Sequence, residues 1–116
     1  MYSQEQMEEL KKYCSKLSVF TEGGVTFLYL EDLRLPQGCT PKSCDALLCP
    51  VNRGDGYPSR LFFPAEASSL RSQKWNMADA HIAGKNWWAF SWRHNLTNPT
   101  LVQILVEHLT AFTRTA

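Results

Sequence analysis

Four cysteines, Cys14, Cys39, Cys44 and Cys49, and three histidines, His81, His94 and His108, are the side chains able to serve as nucleophile, base or soft-metal ligand. Cys39, Cys44 and Cys49 together with His81 would make the four ligands of a structural zinc site. Such sites are held as close pairs, however, and no Cys-x-x-Cys occurs. Cys44 and Cys49 also fall an odd number of residues apart on one expected strand, which sends them to opposite faces. No metal and no other cofactor is therefore expected. A thiolate nucleophile needs exposure and a neighbour that lowers its pKa. Cys39, in a loop bounded by Gly38 and Pro41, is the cysteine that best meets the first condition. His94 follows Arg93 in a loop-like segment, where an imidazole can act as an acid–base group or orient a partner's backbone. The plainer reading of His94 is a solvent-facing or helix-capping residue. His108 shares an apolar stripe and reads as a satisfied, half-buried imidazole.

Three of the four tryptophans crowd into Asn86-Trp87-Trp88-Ala89-Phe90-Ser91-Trp92-Arg93-His94. Neighbours on an extended or helical segment point in different directions, so these rings cannot all face one core. Trp87 is expected to point inward, whereas Trp88 and Trp92, with Arg93 and His94, are the expected partner-binding residues. Upstream, Tyr57-Pro58 reads as a structural turn: Pro58 fixes φ and Tyr57 packs its ring over the sheet.

The elements that position these residues follow from periodicity. Ser3 with Gln6 forms a capping box, and Met7, Leu10, Cys14 and Leu17 lie on one face of a helix of three to four turns. Residues 17–20 and 25–30 form a hairpin around Glu22-Gly23-Gly24. A third strand over 44–49 ends at Pro50, and a fourth covers 60–63. The interval 64–84 has weak periodicity and is expected to be irregular, with one short helical turn. Asn98 as N-cap and Pro99 as first helical residue open a last helix with the stripe Leu101, Ile104, Leu105, His108, Leu109 and Phe112. Strands clustered between two terminal helices predict an α+β fold, with residues 1–116 as one domain.

In order, the chain presents Leu35-Pro36-Gln37-Gly38, Asp45-Ala46-Leu47-Leu48, Gly56-Tyr57-Pro58, Leu61-Phe62-Phe63-Pro64, Gly84-Lys85-Asn86-Trp87 and Ser91-Trp92-Arg93-His94. This succession resembles the prokaryotic branch of the ubiquitin-conjugating enzymes often called family E. The resemblance implies a ubiquitin-conjugating-like fold, with an N-terminal helix, an antiparallel meander of about four strands and a C-terminal helix. It implies partners as well: a ubiquitin-like protein and an activating-enzyme-like adenylyltransferase. The family's nucleophilic cysteine follows the fourth strand, and no cysteine follows Cys49 here. The expectation is accordingly a non-catalytic scaffold or adaptor in a bacterial ubiquitin-like modification system. The alternatives are a transferase using Cys39 and a plain protein-interaction module outside that pathway.

Composition narrows the remaining classes. The 116 residues carry a net charge of +1 with both signs interspersed, so nothing predicts nucleic-acid binding or an anionic membrane surface by charge. The polar, acidic start lacks the basic and apolar regions of a secretory signal, and no apolar run is long enough to span a bilayer. A cytoplasmic protein with reduced cysteines is expected.

Overall fold

Gly23 and Gly24, at φ of 60° and 79°, supply the two positive-φ positions of a tight hairpin turn whose twist matches the strands on either side. In the computed structural model, which describes residues 3–35, 42–51, 54, 58–64, 75–90, 97 and 99–110, this turn joins β1 (Lys16–Glu22) to β2 (Val25–Arg34). Their register runs unbroken from Glu22 opposite Val25 to Lys16 opposite Glu31. β2 continues antiparallel to β3 (Ser43–Cys49), which pairs in turn with β4 (Arg60–Pro64). The β2–β3 ladder shifts register between Leu30 and Leu33, where Asp32 takes a φ of 53°. Asp45 holds this irregularity: its Oδ1 accepts from the Asp32 backbone N–H at 3.1 Å, and its Oδ2 accepts from the Tyr29 hydroxyl at 3.0 Å.

The remainder of the sheet corrects the expected ubiquitin-conjugating-like arrangement of about four strands. Residues Trp75–Ile82 and Lys85–Phe90 form two further strands, β5 and β6, although 75–82 lies within the interval expected to be irregular. β6 then adds to β4, aligning Phe62 with Ala89 and Phe63 with Trp88. Among the described residues one antiparallel sheet of six strands results, in the order β1-β2-β3-β4-β6-β5. The β5–β6 turn carries no conventional sequence signal, because Ala83 occupies a position at φ 52° where Gly, Asn or Asp is the usual residue. Glu22, from the β1–β2 hairpin, accepts a hydrogen bond from the Ala83 N–H at 3.1 Å and so secures that turn. The contact joins two hairpin tips at opposite ends of the strand order, so the sheet curls into an open half-barrel.

Among the described residues two short helices complete the fold. α1 (Gln4–Leu10) passes into a 3-10 turn over Lys11–Tyr13, and the chain is extended from Lys16 onward. The expected helix of three to four turns is therefore too long, and Leu17 belongs to β1. Ser3 caps α1 by accepting from the Gln6 N–H. The Gln6 side chain does not complete the box; its Oε1 accepts instead from the Leu101 N–H, at the start of α2 (Leu101–Leu109), at 2.9 Å. α2 begins later than expected, with Thr100 as N-cap in a reciprocal capping box with Gln103, and Pro99 lies outside the helix. The box satisfies two otherwise orphaned donors, which a start at Pro99 would not. Asn98 and Phe112 lie outside the described residues.

Strand alternation divides the core in two. Leu28, Leu30, Leu48, Leu61 and Phe63 face α1 and α2, packing on Leu10, Leu101, Leu105 and Leu109. Phe27, Leu47, Cys49, Phe62, Ile82, Trp87 and Ala89 pack together on the other face, flanked by Phe20 and Tyr29.

Candidate functional site

Adjacent residues on a strand point to opposite faces, and β6 uses this to separate two tryptophans. Trp87 is fully buried in the aromatic cluster. Its indole N–H donates to the Ile82 carbonyl at 2.9 Å, and its ring meets that of Tyr29 edge-on, with centroids 5.9 Å apart. Trp88 points the other way, across from Phe63, and is half-buried. One ring is locked by packing and a hydrogen bond, while its neighbour stays partly open on a strand held from both sides. Trp92, Arg93 and His94, the other expected binding residues, lie outside the described residues, as do Tyr57 and Cys39. Pro58 is half-buried in the bend that precedes β4.

A second polar constellation was only partly legible in the sequence. Ser59 Oγ lies 2.7 Å from His108 Nε2, and each residue is 1% exposed. The contact tethers α2 to the start of β4. A hydroxyl and an imidazole at this separation are the elements of a nucleophile–base pair. Their burial, however, keeps the hydroxyl from solvent and makes the contact a structural link. The apolar stripe of α2 pointed to an inward His108, but nothing in the spacing identified Ser59 as its partner. Arg60, next to Ser59, is also 1% exposed, and its sole sequence signal was a charged residue at the head of an aromatic strand.

The described thiols are packing groups. Cys49 is buried and its Sγ donates to the Val51 carbonyl, and Cys44 packs against the helix-facing cluster. Burial pushes the Cys14 thiol above its usual pKa, contrary to what a nucleophile requires. Among the described residues no group of three His, Cys, Asp or Glu side chains is placed to hold a metal ion. His81 is exposed, with Nδ1 3.2 Å from Asn86 Oδ1.

A cleft between the helices is lined by Glu5, Gln6, Glu9, Thr100 and Val102. Gln6 and Thr100 are already engaged at the start of α2, so the cleft is a seam between packed elements. No helix among the described residues is long and apolar enough to cross a membrane. The chain matches no protein-family model, no curated protein and no solved structure.

Proposed function

We propose that this chain is a non-catalytic protein-interaction domain that meets its partner through the exposed part of Trp88, on the helix-facing side of β6. The observation that carries this reading is Trp88, half-buried on a strand immobilised by β4 and β5 and adjacent to the fully locked Trp87. A large ring with two rotatable bonds on a paired strand loses little conformational freedom on binding, and such tryptophans recur as hot spots. Trp92, Arg93 and His94 follow directly in sequence and are proposed to extend the same surface. The burial of Cys49 and Ser59, and the raised pKa of Cys14, favour binding over covalent catalysis.

The partner class rests on motif order alone. The run from Leu35-Pro36-Gln37-Gly38 to Ser91-Trp92-Arg93-His94 favours a bacterial ubiquitin-like modification system, in the cytoplasm, with the chain as scaffold or adaptor. The six-stranded sheet gives this assignment no help, so the general reading as an interaction domain stands independently of it.

Calorimetric titration with a bacterial ubiquitin-like protein and its activating adenylyltransferase is the test. Binding is expected, weakened by about 2 kcal/mol in Trp88→Ala, with no reductant-sensitive adduct when ATP is present. An adduct lost in Cys39→Ser would make the chain a transferase. Binding indifferent to Trp88→Ala would place the contact surface elsewhere, and binding to neither protein would remove the chain from that pathway.

A further inference from the structure

The two edges of the sheet are built differently. β5 reaches its partner through two register shifts, between Trp75 and Met77 and between Met77 and Ala80, and such irregularities are a common way of blunting an edge. β1 is regular over all seven residues, and among the described residues it pairs with β2 alone. Its central Leu17-Ser18-Val19-Phe20-Thr21 contains no charge and no proline, and Val19 is 48% exposed. Among the described residues no proline, bulge or charge interrupts the Leu17–Thr21 stretch of this edge, and the charges stand only at its two ends, Lys16 and Glu22.

The hairpin turn determines which backbone groups face outward. In a two-residue turn the flanking residues, Glu22 and Val25, share the turn's hydrogen bond, and hydrogen-bonded positions alternate from there along the strand. Lys16, Ser18, Phe20 and Glu22 thus direct their backbone groups to β2, and Leu17, Val19 and Thr21 direct theirs outward. A second β1 laid antiparallel with Val19 opposite Val19 places Leu17 opposite Thr21, so every outward-facing residue meets another. The same register sets Ser18 opposite Phe20 and Lys16 opposite Glu22. The lysine–glutamate pairing occurs twice by symmetry, at positions where side chains approach most closely. Lys16 and Glu22 are both exposed, and a carboxylate retains acceptor capacity beyond the Ala83 bond.

We propose that β1 is a self-complementary edge through which two copies of this chain join antiparallel about a two-fold axis at Val19, merging their sheets. The contact extends over one seven-residue strand, so the dimer is small and concentration-dependent. It is isologous, as a closed two-fold interface requires.

Sedimentation equilibrium from about 5 µM to 500 µM tests this, on a scale suited to interfaces of this size. The expected result is a reversible shift toward twice the chain mass. Val19→Pro removes an outward N–H without touching the β1–β2 ladder and is expected to leave a folded monomer, checked by its melting curve. K16E alone and E22K alone each oppose like charges and are expected to weaken association about tenfold, with melting curves showing both folded, since E22K also removes the Ala83 bond. Mixed one to one, they restore opposite charges at both ends and are expected to form a heterodimer. A wild-type chain that stays monomeric throughout overturns the proposal. So does a dimer that persists in folded Val19→Pro, or a mixture of K16E and E22K that associates no better than either alone.

Discussion

The two faces of the sheet are closed by different means. On one, aliphatic side chains from β2, β3 and β4 lie under α1 and α2, and cover comes from separate elements. On the other, every described member of the cluster comes from a strand, and the rings of Phe20, Phe27, Phe62, Tyr29 and Trp87 close over one another as the sheet curls. The aliphatic side is joined by shape, the Ser59–His108 contact and the bond from Leu101 to Gln6. The aromatic side depends on directional contacts: the Trp87 indole on Ile82, the Tyr29 hydroxyl on Asp45 and the Ala83 backbone on Glu22. A docked helix can shift to fill a lost volume, whereas a curled sheet tied at its hairpin tips has less freedom to collapse.

That contrast orders the effects of substitution. Trp87→Ala is expected to cost about 3–5 kcal/mol in urea unfolding, the range for buried aromatics. Leu105→Ala, on the helix side, is expected toward the low end of about 2–5 kcal/mol. The reverse order would show that the helices are the more rigid cover. His108→Ala should cost about 2–3 kcal/mol, since it leaves the buried Ser59 hydroxyl without this partner. Ser59→Ala should cost less, and the double variant should fall short of the sum; strict additivity would mean that the 2.7 Å contact contributes nothing.

Asp45→Ala separates the faces more finely. It removes an acceptor from Tyr29 and from the Asp32 N–H, for about 1–3 kcal/mol. Hydrogen exchange should rise first in β2 and around Trp87, and a uniform rise over α2 as well would mean that the faces unfold as one unit. The smallest effect is expected at the turn between β5 and β6. Ala83→Gly relieves a side chain at φ 52° and should raise stability by up to about 1 kcal/mol, measured by melting. A loss of stability there would indicate that the turn tolerates alanine without strain.

How far these features could be read in advance differs by element. The glycine pair at 23–24, the alternation in β2 and the stripe of α2 are local patterns, and each reappears as a turn, a strand or a helix. β5 has no such pattern, because its pairing with β6 is twice irregular and its turn lacks a conventional positive-φ residue. Asn98-Pro99 competes with Thr100 as a signal for the start of α2, and the reciprocal bond between Thr100 and Gln103 decides between them. Of the expected site residues, Trp87 and Trp88 lie on opposite faces of β6, and Cys39, Tyr57, Trp92, Arg93 and His94 lie outside the described residues.

The sequence by itself determined the α+β class, the first hairpin, the last helix and the lack of any cysteine after Cys49, because each follows from residue identity over a short window. Only tertiary structure decided that β6 would add to β4 and give a sheet of six strands, that Gln6 would serve the other helix, and that Ser59 would meet His108 across 49 residues. The physical reason is the same in all three. A backbone donor, an amide oxygen or a buried imidazole must find a partner somewhere, but local sequence records only the need. Which distant residue meets it depends on how the curled sheet and the two helices come together.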